Sequence, residues 1–338
     1  MNRDAPEVSV CIANYNGEHL LPDCLESIRS QKGVRAEVII HDDASSDGSL
    51  ALLRQHHPEA QLIVSERNVG FCTANNRMVA QARGRYVLLL NNDAALLPGA
   101  LVTLKAFADS RPAAVLTLPQ FDWQSGVLVD RGCYLDLTLC PAPNQATGAR
   151  QVAYGIGACL WLPRDLWIRL GGFPAWMESI GEDLYLCSRA RLEGAEVWSL
   201  DESGYRHRQG SSFGGNRLGS EGLSSTYHRR YLSERNRLAA LLVLTPTPLV
   251  WPWLLANLAL LLSEGLLLSA FKREPEIFGK IYARAASWLL RNWRLLRKER
   301  MEVQRGRRIS LVNYLKVFKL LPRKLVLLFR HGFPELRQ

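Results

Sequence analysis

The chain has 338 residues, of which 47% are apolar and 22% are charged, so it is too apolar for a disordered polymer and long enough for about two domains. Its formal net charge of +10 alone would suggest a nucleic acid or an anionic membrane as partner. However, residues 272–338 hold 18 Lys and Arg against 5 Asp and Glu, whereas residues 1–271 hold 24 against 27. The basic residues therefore follow an apolar run near the C-terminus, which favours a membrane and argues against nucleic acid.

The cysteine pattern and the N-terminus bear on the cellular compartment. Seven cysteines, with no C-x-x-C pair, indicate neither a disulfide framework nor a zinc ribbon, and a reducing compartment fits best. The N-terminus lacks an apolar stretch of signal-peptide length. We therefore expect residues 1–237 in the cytosol.

The first part of the chain alternates between short apolar runs and stretches with helical spacing of apolar residues. The runs predict strands at 8–13, 37–40, 86–90 and, more weakly, 62–64, and the spacing predicts helices at 20–28, 49–57 and 74–82. This order is typical of βαβ units, so we predict an α/β fold with a Rossmann-like, mostly parallel sheet flanked by helices.

Polar residues follow three of the predicted strands. They are Asn14 and Asn16 after the first strand, Asp42 and Asp43 after the second, and Asn91 to Asp93 after the run at 86–90. Ligands bind beyond the carboxyl ends of strands in open α/β sheets, and these clusters should converge there. Because no G-x-G-x-x-G follows the first strand, a dinucleotide oxidoreductase is disfavoured.

The middle of the chain is less regular. Residues 119–155 are rich in Pro, Gly and Asn and predict loops and short strands beside an acceptor cleft. A helix should follow Gly181, and the Gly-, Ser- and Arg-rich segment 205–222 is typical of a mobile loop.

Residues 238–271 form an apolar run with one charge, Glu264, which is long enough to span a bilayer. Prolines, an asparagine and Glu264 interrupt it, and residues 280–308 mix Trp and Leu with many Arg, as interfacial helices do. We favour a re-entrant or interface-lying hairpin over a true span. A buried pair of core helices or a dimer interface is the remaining alternative.

Two acidic positions could carry chemistry. Asp93 ends a strand, where a carboxylate can hold Mg²⁺ or Mn²⁺ together with substrate phosphates, although a turn before Pro98 would explain it equally. Glu182 and Asp183 open a predicted helix, where carboxylates commonly act only as caps and dipole partners. His207 lies further along the chain in the segment H-R-Q-G-S-S.

Several collinear motifs together resemble those of the family 2 glycosyltransferases with the GT-A fold. They are VSVCIANYNGEHLLPDCLESIRSQ, EVIIHDDASSDGS, NVGFCTANNRMVAQARGRYVLLLNND, GGF before GEDLYLCSRARLEG, H-R-Q-G-S-S and Glu-Arg-Asn. The resemblance covers about residues 7–237 and is nearest to bacterial rhamnosyltransferases of surface-polysaccharide assembly. The apolar and then basic C-terminal region is also similar to that subgroup.

This resemblance implies roles for individual residues. Asn14, Asn16 and Asp42 would hold the base and ribose of the donor, and Asn68 and Asn75 would border the same nucleotide. Asn91 and Asp93 stand at the ends of the family's D-x-D motif, so Asp93 would bind the metal, completed by His207. Asp183 would be the general base, with Glu182 the next candidate. His41, where the family usually has an aliphatic residue, is interpreted as a strand residue.

The implied activity is transfer of a sugar, with rhamnose the candidate that the subgroup suggests, from a dTDP-, UDP- or GDP-sugar to a lipid-linked glycan, with inversion and with Mg²⁺ or Mn²⁺. The alternatives are a polyprenol-phosphate sugar transferase and a catalytically silent nucleotide-sugar-binding membrane protein. Residues 1–237 would form the GT-A domain and residues 238–338 a helical membrane-associated region. The expected location is the cytoplasmic face of the bacterial inner membrane, on an anionic surface, as a peripheral or monotopic protein.

Overall fold

The structure is a computed structural model that describes residues 5–209, 217–219, 222–332 and 335–337. The chain divides into two compact units. The first comprises Met1–Cys133, Pro143–Ala190 and Ala195–Ser212, and the second comprises Tyr134–Ala142, Arg191–Gly194 and Phe213–Gln338. The boundary at residue 237 that the sequence suggests falls inside a helix, Tyr227–Leu244, which belongs to the second unit.

The strands, in chain order, are β1 Val8–Asn14, β2 Ala36–Asp42, β3 Gln61–Val64, β4 Tyr86–Leu90, β5 Ala94–Leu96, β6 Val115–Thr117, β7 Gln120–Asp122, β8 Leu128–Asp130, β9 Cys133–Asp136, β10 Pro141–Pro143, β11 Arg150–Gln151, β12 Cys159–Pro163, β13 Val197–Ser199, β14 Tyr205–His207, β15 Arg217–Gly219, β16 Gly222–Thr226, β17 Phe318–Lys319 and β18 Glu335–Arg337.

The α-helices are α1 Leu21–Arg29, α2 Ser49–His56, α3 Phe71–Gln81, α4 Ala100–Ser110, α5 Arg164–Leu170, α6 Glu182–Leu192, α7 Tyr227–Leu244, α8 Val250–Lys272, α9 Pro275–Ile277, α10 Arg284–Arg291, α11 Trp293–Arg305, α12 Leu311–Leu315 and α13 Arg323–His331. A 3-10 turn lies at Ala175–Met177, and a π-helical turn at Phe278–Ala283 joins α9 to α10.

The first unit is built on an eight-stranded sheet with the order β11-β13-β6-β12-β4-β1-β2-β3. β1 pairs in parallel with β2 and β4, and β2 with β3, which confirms the predicted βαβ arrangement of the N-terminal part. β12 runs antiparallel to β4 and β6, so the whole sheet is mixed. The parallel strands β1, β2 and β4 consequently end at one edge, which is where the candidate residues lie.

Helix α1 shows why the local sequence folds as it does. Its apolar residues Leu21, Cys24, Leu25 and Ile28 recur at helical spacing and are all buried in the core. Pro22 stands in the first turn, where its missing N–H costs no intrahelical hydrogen bond. All five residues of β4 are buried, which matches a central strand covered on both faces.

The segment 205–222 was expected to be a loop, and this is wrong for residues 205–207, 217–219 and 222, which lie in β14, β15 and β16. Tyr205, Arg206 and His207 form β14, paired with β5 and β7 in a four-stranded sheet. Tyr205 and His207 are buried while Arg206 is exposed, so buried and exposed side chains alternate as in other strands. Both buried side chains are aromatic with polar atoms, however, rather than aliphatic. Residues 210–216, 220 and 221 of the predicted loop lie outside the described residues.

The second unit is mainly helical. Its central helix α7 packs against α8, α10 and α11. The buried Glu234 of α7 pairs with Arg230, Arg237 and Lys324, and Glu264 of α8 also pairs with Arg230 and Lys324. The single charge of the apolar run is therefore neutralised inside this unit.

Helix α8 carries its apolar residues outward. We call its exposed large side chains the apolar stripe: Trp251, Leu255, Leu260, Leu266, Leu267 and Phe271. Its inward face is partly polar, since Asn257 donates to the Leu137 carbonyl and Tyr282 donates to Glu264. Among the described residues α8 alone has the length and apolar composition to cross a membrane, which by itself is weak evidence that it does.

Candidate functional site

The polar ends of β1, β2 and β4 meet through the side chain of Asn14. Its amide nitrogen donates to Asp42 Oδ2 at 2.9 Å, and its carbonyl oxygen accepts from the amide of Asn92 at 2.8 Å. Gly17 stands directly beside this pair, because a Cβ at that position would lie 2.3 Å from both Asn14 Oδ1 and Asn92 Nδ2. Any side chain there would break the contact that joins the strand ends.

Asp42 is completely buried, and both of its carboxylate oxygens are used inside the protein. Oδ1 accepts from the Ser45 backbone N–H at 3.0 Å, and Oδ2 accepts from the Ser45 hydroxyl at 2.7 Å as well as from Asn14. This arrangement braces the turn that follows β2. A hydrogen bond from Asp42 to a ligand would have to replace one of these contacts.

Asp43 belongs to the polar cluster that follows β2, although the family resemblance implied a role only for Asp42. Its two oxygens accept from the backbone N–H groups of Val69 at 2.7 Å and Gly70 at 2.9 Å. Asn68, which was predicted, is exposed and accepts from the same Gly70 N–H at 3.1 Å. The two side chains thus shape the turn that leads into α3, and the signal for Asp43 was the second of two adjacent aspartates after β2.

The remaining predicted amides differ in exposure. Asn16 is partly exposed in a left-handed conformation (φ 50°), and its side-chain oxygen accepts from the Ser46 N–H at 2.7 Å. Asn75 is buried within α3 and donates to the Phe71 carbonyl, so it stabilises its own helix. Tyr15, between Asn14 and Asn16, is 49% exposed and presents its ring to solvent.

His41 and Asn76 both contact neighbouring elements of the first unit. His41 is buried in β2 with Nε2 3.2 Å from the Ser65 hydroxyl, and burial lowers the pKa of His41, in keeping with a strand residue. Asn76, which the sequence analysis overlooked, exchanges two hydrogen bonds with the backbone of Phe173, at 2.8 and 3.0 Å. This clamp ties α3 to the Gly-Gly-Phe turn.

Asp93 and His207 lie together at the end of β4. The Nε2 atom of His207 is 3.0 Å from Asp93 Oδ1, and both side chains are nearly buried. The backbone N–H of Arg208 donates to the Asp93 carbonyl at 3.0 Å, which holds β14 to the strand end. The structure therefore brings together two residues that are 114 positions apart in the chain.

The donor set at this position fits a divalent cation. A carboxylate oxygen and an imidazole nitrogen converge there, and Asn91 contributes an amide whose Nδ2 is 3.5 Å from His207 Nε2. Within the described part of the chain, Asn91 Oδ1 is buried without a hydrogen-bond partner, and exchanging the two ends of this amide would turn the oxygen toward His207. The described residues contain no group of three or more His, Cys, Asp or Glu side chains that could hold a metal. A cation here would need further ligands from substrate oxygens or water.

Asp183 begins α6, and its carboxylate lies within reach of two backbone donors. Oδ2 accepts from the Gly157 N–H at 3.0 Å and Oδ1 from the Leu184 N–H at 2.7 Å. Burial raises the pKa of Asp183, and these two hydrogen bonds partly oppose the effect. Glu182, its neighbour in the chain, is almost fully buried. A carboxylate with a raised pKa is a stronger base than an ordinary aspartate.

The sequence of the first unit also matches a known protein family. Residues 9–168 match the sequence profile of the glycosyl transferase family 2. The chain is 33% identical over 111 residues to the succinoglycan biosynthesis protein ExoO of Rhizobium meliloti, which covers 32% of each chain. The chain thus spans only about a third of that relative's length.

Two solved structures share the fold. S. aureus TarS 1-349 in complex with UDP-GlcNAc superposes with a TM-score of 0.55 and 18% identity over 89% of both chains. GalNAc-T7 with UDP, GalNAc and Mn²⁺ superposes with a TM-score of 0.58 and 13% identity over 72% of this chain and 48% of that one. Residues 9–168 therefore match a glycosyl transferase family 2 domain, and the protein has the GT-A glycosyltransferase fold.

Proposed function

We propose that the protein transfers a sugar from a nucleoside diphosphate sugar to a lipid-linked glycan during synthesis of a cell-surface polysaccharide, with inversion at the anomeric carbon. The observation that carries the proposal is the pairing of Asp93 with His207 at the end of β4, in the same compact unit as the partly buried carboxylate of Asp183. The relation to a succinoglycan biosynthesis protein supports the polysaccharide context.

The strand ends provide groups suited to a nucleotide. The exposed ring of Tyr15 offers an aromatic face on which a base can stack. Asn14 and Asn16 flank it, and Asp42 holds Asn14 in place. Asn68 borders the same edge through the Gly70 turn, whereas the buried Asn75 acts on the nucleotide only through the position of α3.

Asp93 and His207 would hold Mg²⁺ or Mn²⁺ with the donor diphosphate, and Asn91 would add its amide oxygen after a turn of the amide that now faces His207 with its nitrogen. When bound, such a cation neutralises charge on the departing diphosphate. Because the protein supplies few ligands, we expect donor and cation to bind together. GalNAc-T7, which shares the fold, was crystallised with UDP and Mn²⁺.

Asp183 accepts the proton from the acceptor hydroxyl as that oxygen attacks the anomeric carbon opposite the leaving diphosphate. The bond from the anomeric carbon to the diphosphate oxygen breaks as the new glycosidic bond forms, so no covalent intermediate with the protein is needed. The Gly157 and Leu184 N–H groups hold the carboxylate during the transfer. Glu182 is the second candidate base, because it is the neighbouring carboxylate of the same helix end.

The second unit would place the enzyme on the cytoplasmic face of a bacterial inner membrane. The apolar stripe of α8 faces outward, and Trp251 at its start lies 5.9 Å from Trp293, at the start of α11, between ring centroids. α11 exposes a row of cations, Arg294, Arg297 and Lys298. Apolar area, tryptophans and basic residues together fit an anionic membrane surface.

The packing of α8 favours a helix that lies in the membrane plane over one that spans it. Its inward face contacts α7, which contains Glu234 and several arginines, and its own Glu264 is held by Arg230 and Lys324. Carrying α8 across the bilayer would require breaking these contacts or moving charged side chains into lipid.

A donor screen tests the enzymatic proposal. Purified full-length protein is incubated with dTDP-rhamnose, UDP-sugars and GDP-sugars, a lipid-linked glycan acceptor or polyprenol phosphate, and Mn²⁺ or EDTA. We expect release of nucleoside diphosphate with one donor class, dependence on acceptor, and loss in EDTA. We include dTDP-rhamnose because of the rhamnosyltransferase resemblance. Product on polyprenol phosphate alone would favour the polyprenol-phosphate transferase, and nucleotide binding without turnover would favour a silent binding protein.

A further inference from the structure

Behind His207, on the side away from Asp93, lies the amide of Gln120. The Nδ1 atom of His207 is 3.2 Å from Gln120 Oε1, and the hydroxyl of Tyr205 donates to the same oxygen at 2.9 Å. Gln120 is 2% exposed and comes from β7, which pairs in parallel with β14, so that Gln120 stands opposite Tyr205. One carbonyl oxygen thus receives hydrogen bonds from two side chains of the strand that carries His207.

We propose that Gln120 is a positioning residue that keeps the proton of His207 on Nδ1 and thereby presents Nε2, with its lone pair, toward Asp93 and the donor-bound cation. The inference rests on the proposed role of His207 and identifies the contact that makes the role possible. A metal-binding histidine needs its other ring nitrogen fixed by an acceptor, since a neutral imidazole carries one proton that can reside on either nitrogen.

The orientation of the Gln120 amide is itself determined by its surroundings. Tyr205 is completely buried, and its hydroxyl, a donor at neutral pH, has the Gln120 amide as its partner at 2.9 Å. A protonated phenol that points at the amide is best matched by its oxygen. The oxygen has a second lone pair, which is the one directed to His207 Nδ1.

The backbone around His207 is also held, so the side-chain contact decides the ring position. The Trp123 N–H donates to the His207 carbonyl at 3.2 Å, and the Arg208 N–H donates to the Asp93 carbonyl at 3.0 Å. With both neighbouring strands in register, rotation of the imidazole is the remaining freedom. The hydrogen bond from Nδ1 to Gln120 restricts that rotation.

The first experiment measures cation binding with Mn²⁺ as the probe, in the presence of UDP, dTDP or GDP in turn, by electron paramagnetic resonance of the full-length protein. Gln120→Met removes the acceptor at nearly constant length and should weaken Mn²⁺ binding about 10- to 100-fold. Gln120→Glu keeps an acceptor oxygen and should restore binding. Tyr205→Phe is the matched control, because it removes the other hydrogen bond to the same oxygen and should change binding less than Gln120→Met.

The second experiment reads the ring directly by ¹⁵N NMR of imidazole nitrogens at about pH 8.5, where an ordinary histidine is neutral, with saturating Mg²⁺ and nucleoside diphosphate. The cation is needed because in its absence Asp93 Oδ1, 3.0 Å from Nε2, competes for the ring proton. We expect the proton on Nδ1 in the wild type and a shift toward Nε2 in Gln120→Met. A wild-type ring protonated only on Nε2, or Gln120→Met binding Mn²⁺ within about twofold of wild type while His207→Asn loses it, would overturn the positioning role. If His207→Asn also binds Mn²⁺ normally, the metal role of His207 fails, and the inference about Gln120 fails with it, whereas donor turnover in the screen would still support the transferase.

Discussion

At Asp183, burial raises the pKa of the carboxylate and hydrogen bonds from two backbone N–H groups lower it. The net effect is a raised pKa, which suits a residue that accepts a proton. Asp183→Asn keeps the size of the side chain but cannot accept the proton. We expect turnover to fall by about 10²-fold or more with donor binding retained, because positioned proton transfer contributes typically that much. Steady-state rates and nucleotide calorimetry check this.

Glu182→Gln is the matched change for this prediction, since it neutralises the neighbouring carboxyl of the same helix end. It should reduce turnover less than Asp183→Asn. If Asp183→Asn turned over at nearly the normal rate while Glu182→Gln did not, Glu182 would be the base.

The raised pKa of Asp183 also predicts the pH dependence of the reaction. The base works when deprotonated, so kcat/KM is full above its pKa and falls as the pH drops through it. The acid limb should therefore lie above the pKa of an ordinary aspartate. A profile that stayed flat down to about pH 4 would contradict this reading of Asp183.

Asp130 needs a separate control in that measurement. It is buried, and burial raises the pKa of Asp130 to about 6, with a smaller contribution from the charge of Asp183. If Asp130→Asn retains the acid limb, the limb belongs to Asp183. If the limb disappears in Asp130→Asn, it belongs to Asp130.

For single residues, the sequence predicts positions that depend on the order of the strands, and it does not predict contacts that depend on packing between distant segments. Asn14 and Asp93 follow predicted strands, and parallel strands end together, so their proximity could be foreseen. Gln120 lies in a segment without periodicity, and only the pairing of β7 with β14 brings it behind His207. Asp42 and Asp43 are adjacent and chemically identical, so their different partners follow from the turn geometry alone.

Among the elements, the loop before α6 is held in an unusual backbone conformation. Glu178, Ile180 and Gly181 have φ angles of 63°, 72° and 89°. Such angles are costly for residues with a Cβ, and for Ile180 in particular, so surrounding structure must enforce them. The loop leads directly into Asp183, which suggests that it sets the position of the base.

Gly181→Ala tests this loop. Its φ of 89° is strained for alanine although the nearest side-chain atom, in Met177, is 3.7 Å from the added Cβ. We expect the free energy of unfolding to fall by about 1–2 kcal/mol and turnover to fall with it. Gly279→Ala is the control, because Gly279 lies in the π-helical turn without a positive φ and with open space around it, and the change should stabilise the fold by about 0.5–1 kcal/mol. Chemical denaturation measures both, and equal effects of the two changes would refute the strain argument.

The buried cluster in α7 makes a second prediction for an element. Burial alone would raise the pKa of Glu234, but the charges of Arg237, Lys324 and Arg230 outweigh it and lower the pKa. Glu234→Gln should destabilise the protein by about 3–5 kcal/mol, since it leaves buried cations without their partner. Glu276→Gln, in an exposed pair with Lys280, should cost less than about 1 kcal/mol.

The difference in the free energy of unfolding between the wild type and Glu234→Gln should depend on pH in a defined direction. A lowered pKa stabilises the folded state above the pKa of the unfolded carboxyl, and the contribution is lost as the pH falls through the folded pKa. The difference between wild type and Glu234→Gln should therefore still be present at about pH 5 in denaturant titrations. A difference that vanished there would show that Glu234 is not held ionised.

Whether a helix or strand could be predicted from the sequence depends on how it contacts the core. Helices α1, α2 and α3 and strands β1, β2 and β4 could be predicted because their apolar periodicity reflects a one-sided or two-sided core contact. β14 could not, because its buried positions are Tyr205 and His207, which satisfy their polar groups on Gln120 and Asp93. The antiparallel direction of β12 could not be predicted either. This strand is apolar, as parallel strands also are, and nothing in its sequence distinguishes the two kinds of pairing.

At the scale of the whole molecule, charge and apolar surface are separated along the chain. The basic excess lies in residues 272–338, and the apolar stripe lies on α8 immediately before it. Each Lys or Arg close to an anionic surface contributes about 1 kcal/mol, and this part weakens in salt, whereas the apolar part does not. Binding of the full-length protein to anionic vesicles should therefore weaken only partly at high salt.

The double change Leu260→Gln and Leu267→Gln removes apolar area from the stripe without altering charge. Burial of a leucine contributes about 1.5–3 kcal/mol, so partial burial of two should weaken vesicle binding by about 10-fold or more. Ile168→Gln is the control, because Ile168 is as exposed as Leu260, at 56% against 58%, but lies on α5 of the other unit. Vesicle co-sedimentation at low and high salt measures the effect.

The competing interpretation is that a second copy of the chain covers the stripe, and it predicts a different pattern for the same variants. A dimer would be visible by light scattering without lipid, would dissociate in the Leu260→Gln and Leu267→Gln variant, and would not bind vesicles. A membrane surface predicts no change in mass without lipid and loss of sedimentation with it. Because the donor site lies in the first unit, nucleotide release from the donor should persist in the variant in either case, so the location of the enzyme can be wrong while its chemistry stands.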